Sequence, residues 1–170
     1  MKPWGTWADV VTALRLPLAA LFPLVHRSSW EFAIVATAAA SDFVDGKLAR
    51  YVGASRVGAV LDPIADKVFA AVAFLTIAGR GALTWYELVG VLLRDILAVL
   101  GFFGTWLLHR PVALPARAGG KAVTVAQILT LVAYTAGSTL VRPLAWATAA
   151  IAVYATWDYG RAAARVAANR

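Results

Sequence analysis

A chain of 170 residues with 61% hydrophobic side chains and a mean hydropathy of +0.72 lies outside the range of ordinary soluble domains, where about 45–50% of residues are apolar. It has no cysteine, which excludes disulfides, thiolate metal sites and thiol nucleophiles. Sixteen Lys and Arg against nine Asp and Glu give a net charge of +7; in so apolar a chain this excess suits cytoplasmic loops and an anionic bilayer surface, and no basic block interleaved with aromatics points to nucleic acid.

Charges, Gly and Pro divide the chain into six apolar stretches, near residues 7–25, 29–49, 58–78, 84–107, 121–140 and 143–160. Six spans of about 20 residues use about 120 positions and leave about 50 for loops and tails. The expected fold is all-α, a single domain over residues 1–170 forming an integral membrane bundle of six transmembrane helices, with no separate soluble domain and no disordered arm. The alanine-rich stretches leave a variant open, with four or five spans and one buried hydrophobic helix. Arg15 and Pro17 interrupt the first stretch and no small-residue cleavage pattern follows it, so it does not read as a cleavable signal peptide. The expected connections are short: His26-Arg27-Ser28, Tyr51 to Val57, Arg80-Gly81, His109 to Gly120, and Val141-Arg142.

Loop charge gives the orientation. Placing both termini and the loops after stretches two and four on one side collects Lys2, Arg15, Lys47, Arg50, Arg56, Arg110, Arg117, Lys121, Arg161, Arg165 and Arg170, against Arg27, Arg80 and Arg142 on the other. Eleven against three predicts cytoplasmic termini. Trp4, Trp7, Trp30, Trp85, Trp106 and Trp157 fall near span ends, as interfacial anchors do.

The acids are unevenly placed. Asp42, Asp45, Asp62 and Asp66 fall within 25 consecutive residues, although an ionised carboxylate at a span centre costs at least about 2.5–3.5 kcal/mol on insertion scales. Asp42 and Asp45 are three apart, Asp62 and Asp66 four apart, so each pair shares a helix face, and a short connection lets the two faces meet. Four carboxylates in one pocket repel each other unless cations are present. Without Cys or His nearby, oxygen-seeking Mg2+ or Mn2+ fits better than zinc or copper, and two such ions could clamp a pyrophosphate. Gly46, Ala49, Gly53, Ala54, Gly58 and Ala59 would let a ligand reach the backbone. Spacing leaves two other readings open: a solvated rim in which the acids pair with Lys47, Arg50, Arg56 and Lys67, and a cation or proton pathway.

The run Asp42-Phe43-Val44-Asp45-Gly46-Lys47-Leu48-Ala49-Arg50, followed by Gly58-Ala59-Val60-Leu61-Asp62-Pro63-Ile64-Ala65-Asp66, resembles the signature of the CDP-alcohol phosphatidyltransferase family, D-x-x-D-G-x-x-A-R, a spacer, then G-x-x-x-D-x-x-x-D. The spacer is one residue shorter than is usual there; the deletion falls between helices, leaves each helix register intact, and bears on Ser55 and Arg56. Weaker likenesses extend along the chain. Asp9 to Arg15 resembles an N-x-x-T-x-x-R element with Asp9 in place of Asn. Asp62-Pro63-Ile64-Ala65-Asp66-Lys67 is similar to the form found in phosphatidylglycerophosphate and cardiolipin synthases, as are Arg94-Asp95 and Gly120-Lys121 with Thr124 and Gln127, while Tyr159-Gly160-Arg161 resembles the close of eukaryote-type cardiolipin synthases.

The resemblance implies a six-helix membrane transferase that joins a lipid phosphate to an acceptor hydroxyl and releases CMP. Asp42, Asp45, Asp62 and Asp66 would hold two Mg2+ or Mn2+ ions, with Asp66 also the general base. Gly46, Ala49 and Gly58 would line the nucleotide pocket, and Arg50 would bind phosphates. The implied donor is CDP-diacylglycerol, the setting a lipid bilayer, the assembly a homodimer, and the location a bacterial cytoplasmic membrane with the site facing the cytoplasm.

Within the fourth stretch Arg94 either pairs with Asp95 or another helix's acid, or joins Lys121 in binding the phosphate of an anionic acceptor. Glycerol 3-phosphate comes first and phosphatidylglycerol, the cardiolipin synthase acceptor, second, with inositol phosphate and other alcohols behind them; Arg117 reads as a lipid-headgroup contact. His26 and His109 lie at loop edges on opposite sides, apart from any shared metal. Glu31 and Glu87 start stretches two and four, where an acid favours a helix N-terminus. Phe102, Phe103, Tyr134 and Tyr154 read as lipid-facing or packing aromatics, and Asp158 with Arg161 as an interfacial ion pair.

Overall fold

A computed structural model describes residues 12–26, 29–52, 58–107 and 118–168. They form six α-helices: α1 (Arg15–Leu21), α2 (Ser29–Val52), α3 (Gly58–Gly79), α4 (Trp85–Leu107), α5 (Ala118–Thr135) and α6 (Val141–Ala168), with a 3₁₀ turn at Phe22–Leu24 after α1. No strand occurs among the described residues, in keeping with the all-α expectation.

Helical backbone at Thr12 and Ala13 passes through Leu14 (φ −58°, ψ −27°) into α1, and the Leu14 carbonyl accepts the Leu18 N–H at 3.3 Å. Pro17 has no N–H to continue the earlier ladder, and Pro23 ends the segment in a single 3₁₀ turn. The predicted connection at Val141-Arg142 is also corrected: both residues belong to the first turn of α6, and the link from α5 is Ala136 to Leu140. Pro143 suits a helix start, where its missing N–H has no partner to lose, and the apolar side chain of Val141 is buried. At its other end α6 runs past the predicted limit at residue 160.

Two helices stop in the same way. Gly81 (φ 78°) and Gly137 (φ 66°) adopt left-handed backbone. At the end of α3, Gly81 N–H donates to Ala78 O (2.9 Å) and Ala82 N–H to Ile77 O (3.0 Å); after α5, Gly137 N–H donates to Tyr134 O and Ser138 N–H to Ala133 O, both at 2.9 Å. These are Schellman closures, in which a Cβ is penalised. Gly137→Ala is expected to cost about 1–2 kcal/mol, read as a lower thermal unfolding midpoint in detergent. Gly79→Ala, at the last helical residue of α3 with open space around it, should be neutral or slightly stabilising.

Packing follows side-chain size. α6 lies along both α4 and α5, while α1 lies on α3 and α2 on α5. The α5–α6 seam is built of small residues: a Cβ on Gly119 would come within 3.1 Å of the Ala155 Cβ, and Ala126, Ala145, Ala152 and Ala155 are buried. Within it the Thr130 and Thr148 hydroxyls lie 3.2 Å apart, each also donating to the carbonyl one turn back. The larger core joins Phe22, Val35, Phe69, Phe74, Ile77, Val91 and Leu131, with the Phe22 and Phe69 rings meeting edge to face at 6.4 Å.

Polarity is inverted relative to a soluble bundle. Arg15, Glu31, Glu87 and Asp95 are buried, whereas Trp30 and Trp85 are each 73% exposed and Leu24, Leu100, Trp146, Tyr154 and Trp157 also face outward. No helix of the described residues is long and apolar enough to cross a membrane; charged residues interrupt the apolar runs, as Asp62, Asp66 and Lys67 do in α3 and Glu87, Arg94 and Asp95 in α4.

Candidate active site

A cleft opens where α1, α2, α3 and α5 meet. Its polar wall is Arg15, Asp42, Asp66, Thr124 and Gln127; Val35, Phe69, Phe74 and Leu131 are among its apolar lining. Asp42 and Asp66 come from different helices and both line this cleft. The side chains of Asp45, Gly46, Ala49, Arg50, Gly58 and Asp62 lie outside the described residues, as do Ser55 and Arg56; the helices α2 and α3 carry the backbone of the first six.

Arg15 organises one side. Its side chain is 2% exposed and reaches Asp42 Oδ1 with Nη2 at 3.3 Å, while its Nε donates to Ser41 Oγ at 3.2 Å. Ser41 Oγ donates in turn to the Ala38 carbonyl at 2.8 Å. A guanidinium removed from water is tolerable only when it is paired, and here the pairing fixes the Asp42 end of α2 against α1. Sequence reasoning placed Arg15 among the cytoplasmic loop charges and in the N-x-x-T-x-x-R likeness, not in the site. The available signal was a cation within an apolar stretch.

A second polar group lies beside the cleft. Asp95 of α4 receives Lys67 Nζ from α3, Arg94 Nη1 at 2.8 Å, and Gln127 Nε2 from α5 at 2.7 Å. Arg94 thus makes the ion pair with Asp95 that was one of its two expected roles, and Lys67 pairs across the bundle with Asp95. Arg94 also lies over the first turn of α5: a Cβ on Gly120 would meet Arg94 Nη2 at 2.7 Å and Tyr159 Oη at 3.1 Å. Lys121, the next residue, is exposed.

Two further ion pairs lie at the other ends of these helices, and both use the acids that were expected only to favour helix N-termini. Glu31, in the first turn of α2, is fully buried and pairs with Arg80. Glu87 accepts the N–H and hydroxyl of Thr84 at 2.7 Å each, which caps α4, and also accepts Arg142 Nε at 3.1 Å. Tyr134, expected as a packing or lipid-facing aromatic, is buried with its hydroxyl 3.5 Å from Arg80 Nη1. Tyr154 is exposed beside Trp157, over which Arg161 is stacked.

As for metal, no group of three or more Asp, Glu or His able to hold an ion occurs among the described residues. The acids that do line the cleft offer carboxylate oxygen, with no histidine among the lining side chains, a donor set that suits Mg2+ or Mn2+.

The model of the CDP-alcohol phosphatidyltransferase family matches residues 5–157. The chain belongs to this family. It is 36% identical over 138 residues to a Mycobacterium tuberculosis protein named "Probable phosphatidylglycerophosphate synthase", covering 73% of this chain and 63% of the relative. It is 32% identical over 124 residues to one from the same organism named "Putative cardiolipin synthase", covering 70% of this chain and 59% of the relative. With a "CDP-diacylglycerol--glycerol-3-phosphate 3-phosphatidyltransferase" of Pseudomonas fluorescens it shares 31% identity over 137 residues, covering 73% and 69%. The chain therefore spans less than two thirds of the length of both mycobacterial relatives.

Proposed function

We propose that this chain transfers the phosphatidyl group of CDP-diacylglycerol to glycerol 3-phosphate, giving phosphatidylglycerophosphate and CMP. The observation that carries the reading is the presence of Asp42 and Asp66 in the lining of one cleft, with buried Arg15 paired to Asp42, in a chain of this family. Family membership favours transfer over a cation or proton pathway built on the same acids. Two of the relatives carry names of the glycerol 3-phosphate reaction or its product.

In this reading Asp42, Asp45, Asp62 and Asp66 hold two Mg2+ or Mn2+ ions, which when bound neutralise the pyrophosphate and make CMP a good leaving group. Gly46, Ala49 and Gly58 leave room for the cytidine nucleotide, and Arg50 binds its phosphates. Arg94 and Lys121 bind the acceptor's phosphate. Asp66 takes the proton from the acceptor hydroxyl as its oxygen forms the new bond to the lipid phosphorus and the bond to CMP breaks. In-line positioning of that hydroxyl is the protein's main task, and no covalent intermediate is required.

The enzyme is proposed to sit as six spans in a bacterial cytoplasmic membrane, both termini and the cleft facing the cytoplasm. Its inverted polarity supports this: large aromatics stand outside while charged side chains are buried in pairs. Trp30 and Trp85 begin α2 and α4, and Trp157 with Arg161 lies towards the far end of α6, the places an aromatic belt occupies. The remaining apolar surface supports a homodimer.

The test is an acceptor panel: the purified full chain in detergent with radiolabelled CDP-diacylglycerol, resolving the lipid products. Phosphatidylglycerophosphate is expected with glycerol 3-phosphate, only in Mg2+ or Mn2+, and lost on chelation with EDTA. Cardiolipin formed from phosphatidylglycerol would instead establish the second reading, which the relative named "Putative cardiolipin synthase" favours. No CMP release with any acceptor overturns both.

A further inference from the structure

We infer that Asp95 is the positioning residue of the acceptor site, holding Lys67 and Arg94 as a two-cation fork for the phosphate of a small phosphorylated alcohol; the inference rests on the transferase reading above. Asp95 is 7% exposed and gathers one donor from each of three helices: Lys67 of α3, Arg94 of α4 and Gln127 of α5. Gln127 is itself held in place, donating also to the Val91 carbonyl at 3.1 Å.

Donor capacity and position both argue for a ligand. Lys67 also feels the charge of neighbouring Asp66, so the group is balanced at rest and an anion would be met by its unused N–H donors. The cation heads are placed to meet one: the Lys67 and Arg94 side chains are 19% and 21% exposed, and each carries more N–H donors than the one directed at Asp95. The location fits as well. Lys67 adjoins Asp66, Gln127 lines the same cleft as Asp42 and Asp66, and Arg94 reaches the first turn of α5 at Gly120, where the helix dipole favours an anion. An acceptor phosphate bound by the fork would present its alcohol towards Asp66.

The experiment compares two variants with the parent chain in detergent, measuring KM separately for glycerol 3-phosphate and for CDP-diacylglycerol. Asp95→Asn keeps the shape and removes the charge that aligns the fork. Gly120→Ala leaves every charge in place and displaces the Arg94 guanidinium by the Cβ contact. Each should raise the KM for glycerol 3-phosphate about tenfold while the KM for CDP-diacylglycerol stays within about twofold, and each should lower discrimination between glycerol 3-phosphate and uncharged glycerol. If Asp95→Asn does not fold, Gly120→Ala decides alone. Equal changes in both KM values, or lower thermal stability with unchanged KM values, overturn the inference and leave the transferase reading standing. Should the parent chain transfer to no acceptor, the transferase reading falls. Calorimetric titration with glycerol 3-phosphate then decides this one: binding weakened in both variants upholds the anion fork, and no binding by the parent chain removes it.

Discussion

Asp66→Asn is expected to reduce phosphatidyl transfer by about 10²–10⁴-fold, the range lost when a positioned general base is removed, while CDP-diacylglycerol binding stays measurable. The asparagine keeps the size of the side chain and an oxygen directed into the cleft, so the apolar lining around it need not move. What it would lose, on the proposed function, is the ability to take the acceptor's proton. Asp42→Asn should behave differently, because Asp42 is tied to Arg15 through a 3.3 Å ion pair and its neutralisation leaves a guanidinium that is 2% exposed without that charge. That variant should lose thermal stability as well as activity. Single-turnover transfer and nucleotide binding, measured side by side in both variants, separate the roles. Retention of more than a tenth of the parent rate in Asp66→Asn would remove Asp66 from the base position.

How much of this was legible in the sequence depends on the range of the interaction. Spacings of three and four residues set Asp42 with Asp45 and Asp62 with Asp66 on shared helix faces, and of these acids Asp42 and Asp66 line one cleft, which is closed by α1 and α5 as well and so does not follow from the short α2–α3 connection alone. Helix starts were equally local: Glu31 and Glu87 both lie in first turns. Their partners were not legible. Arg80 lies 49 residues from Glu31, Arg142 lies 55 from Glu87, and Lys67 lies 28 from Asp95, and no periodicity couples positions so far apart. Arg15 was misplaced for a related reason, since loop-charge counting treats every cation near a terminus as solvated. The end of α5 could have been weighted more heavily from Gly137, a residue whose backbone freedom acts without regard to apolar pattern.

The largest expected loss of stability is at Arg80, about 20 Å along α3 from Asp66 at 1.5 Å per residue. Arg80 Nη2 donates to the carbonyls of Pro23 (2.9 Å) and Val25 (2.5 Å), and Nη1 donates to Glu31 at 2.5 Å. One side chain therefore ties the turn after α1 to the start of α2 and the end of α3. Glu31 is fully buried, and its Oε2 has no hydrogen-bond partner among the described residues, so its charge leans heavily on Arg80. Removing one member of a buried pair typically costs about 3–5 kcal/mol because the other charge is left uncompensated, and Arg80→Met should lose an amount in that range. The double variant Arg80→Met, Glu31→Leu should recover much of it, since replacing both charges with apolar groups removes the orphan. Arg142→Met is the contrast: the Arg142 side chain is 59% exposed and Thr84 still satisfies Glu87, so a loss of at most about 1 kcal/mol is expected. Thermal midpoints of the four proteins in one detergent check the ordering. At temperatures where Arg80→Met remains folded, its KM for CDP-diacylglycerol should match the parent's, because Arg80 is not among the residues lining the cleft and lies about 20 Å along α3 from Asp66. If Arg80→Met costs no more than Arg142→Met, or the double variant is worse than the single, Glu31 is carrying no charge that Arg80 compensates.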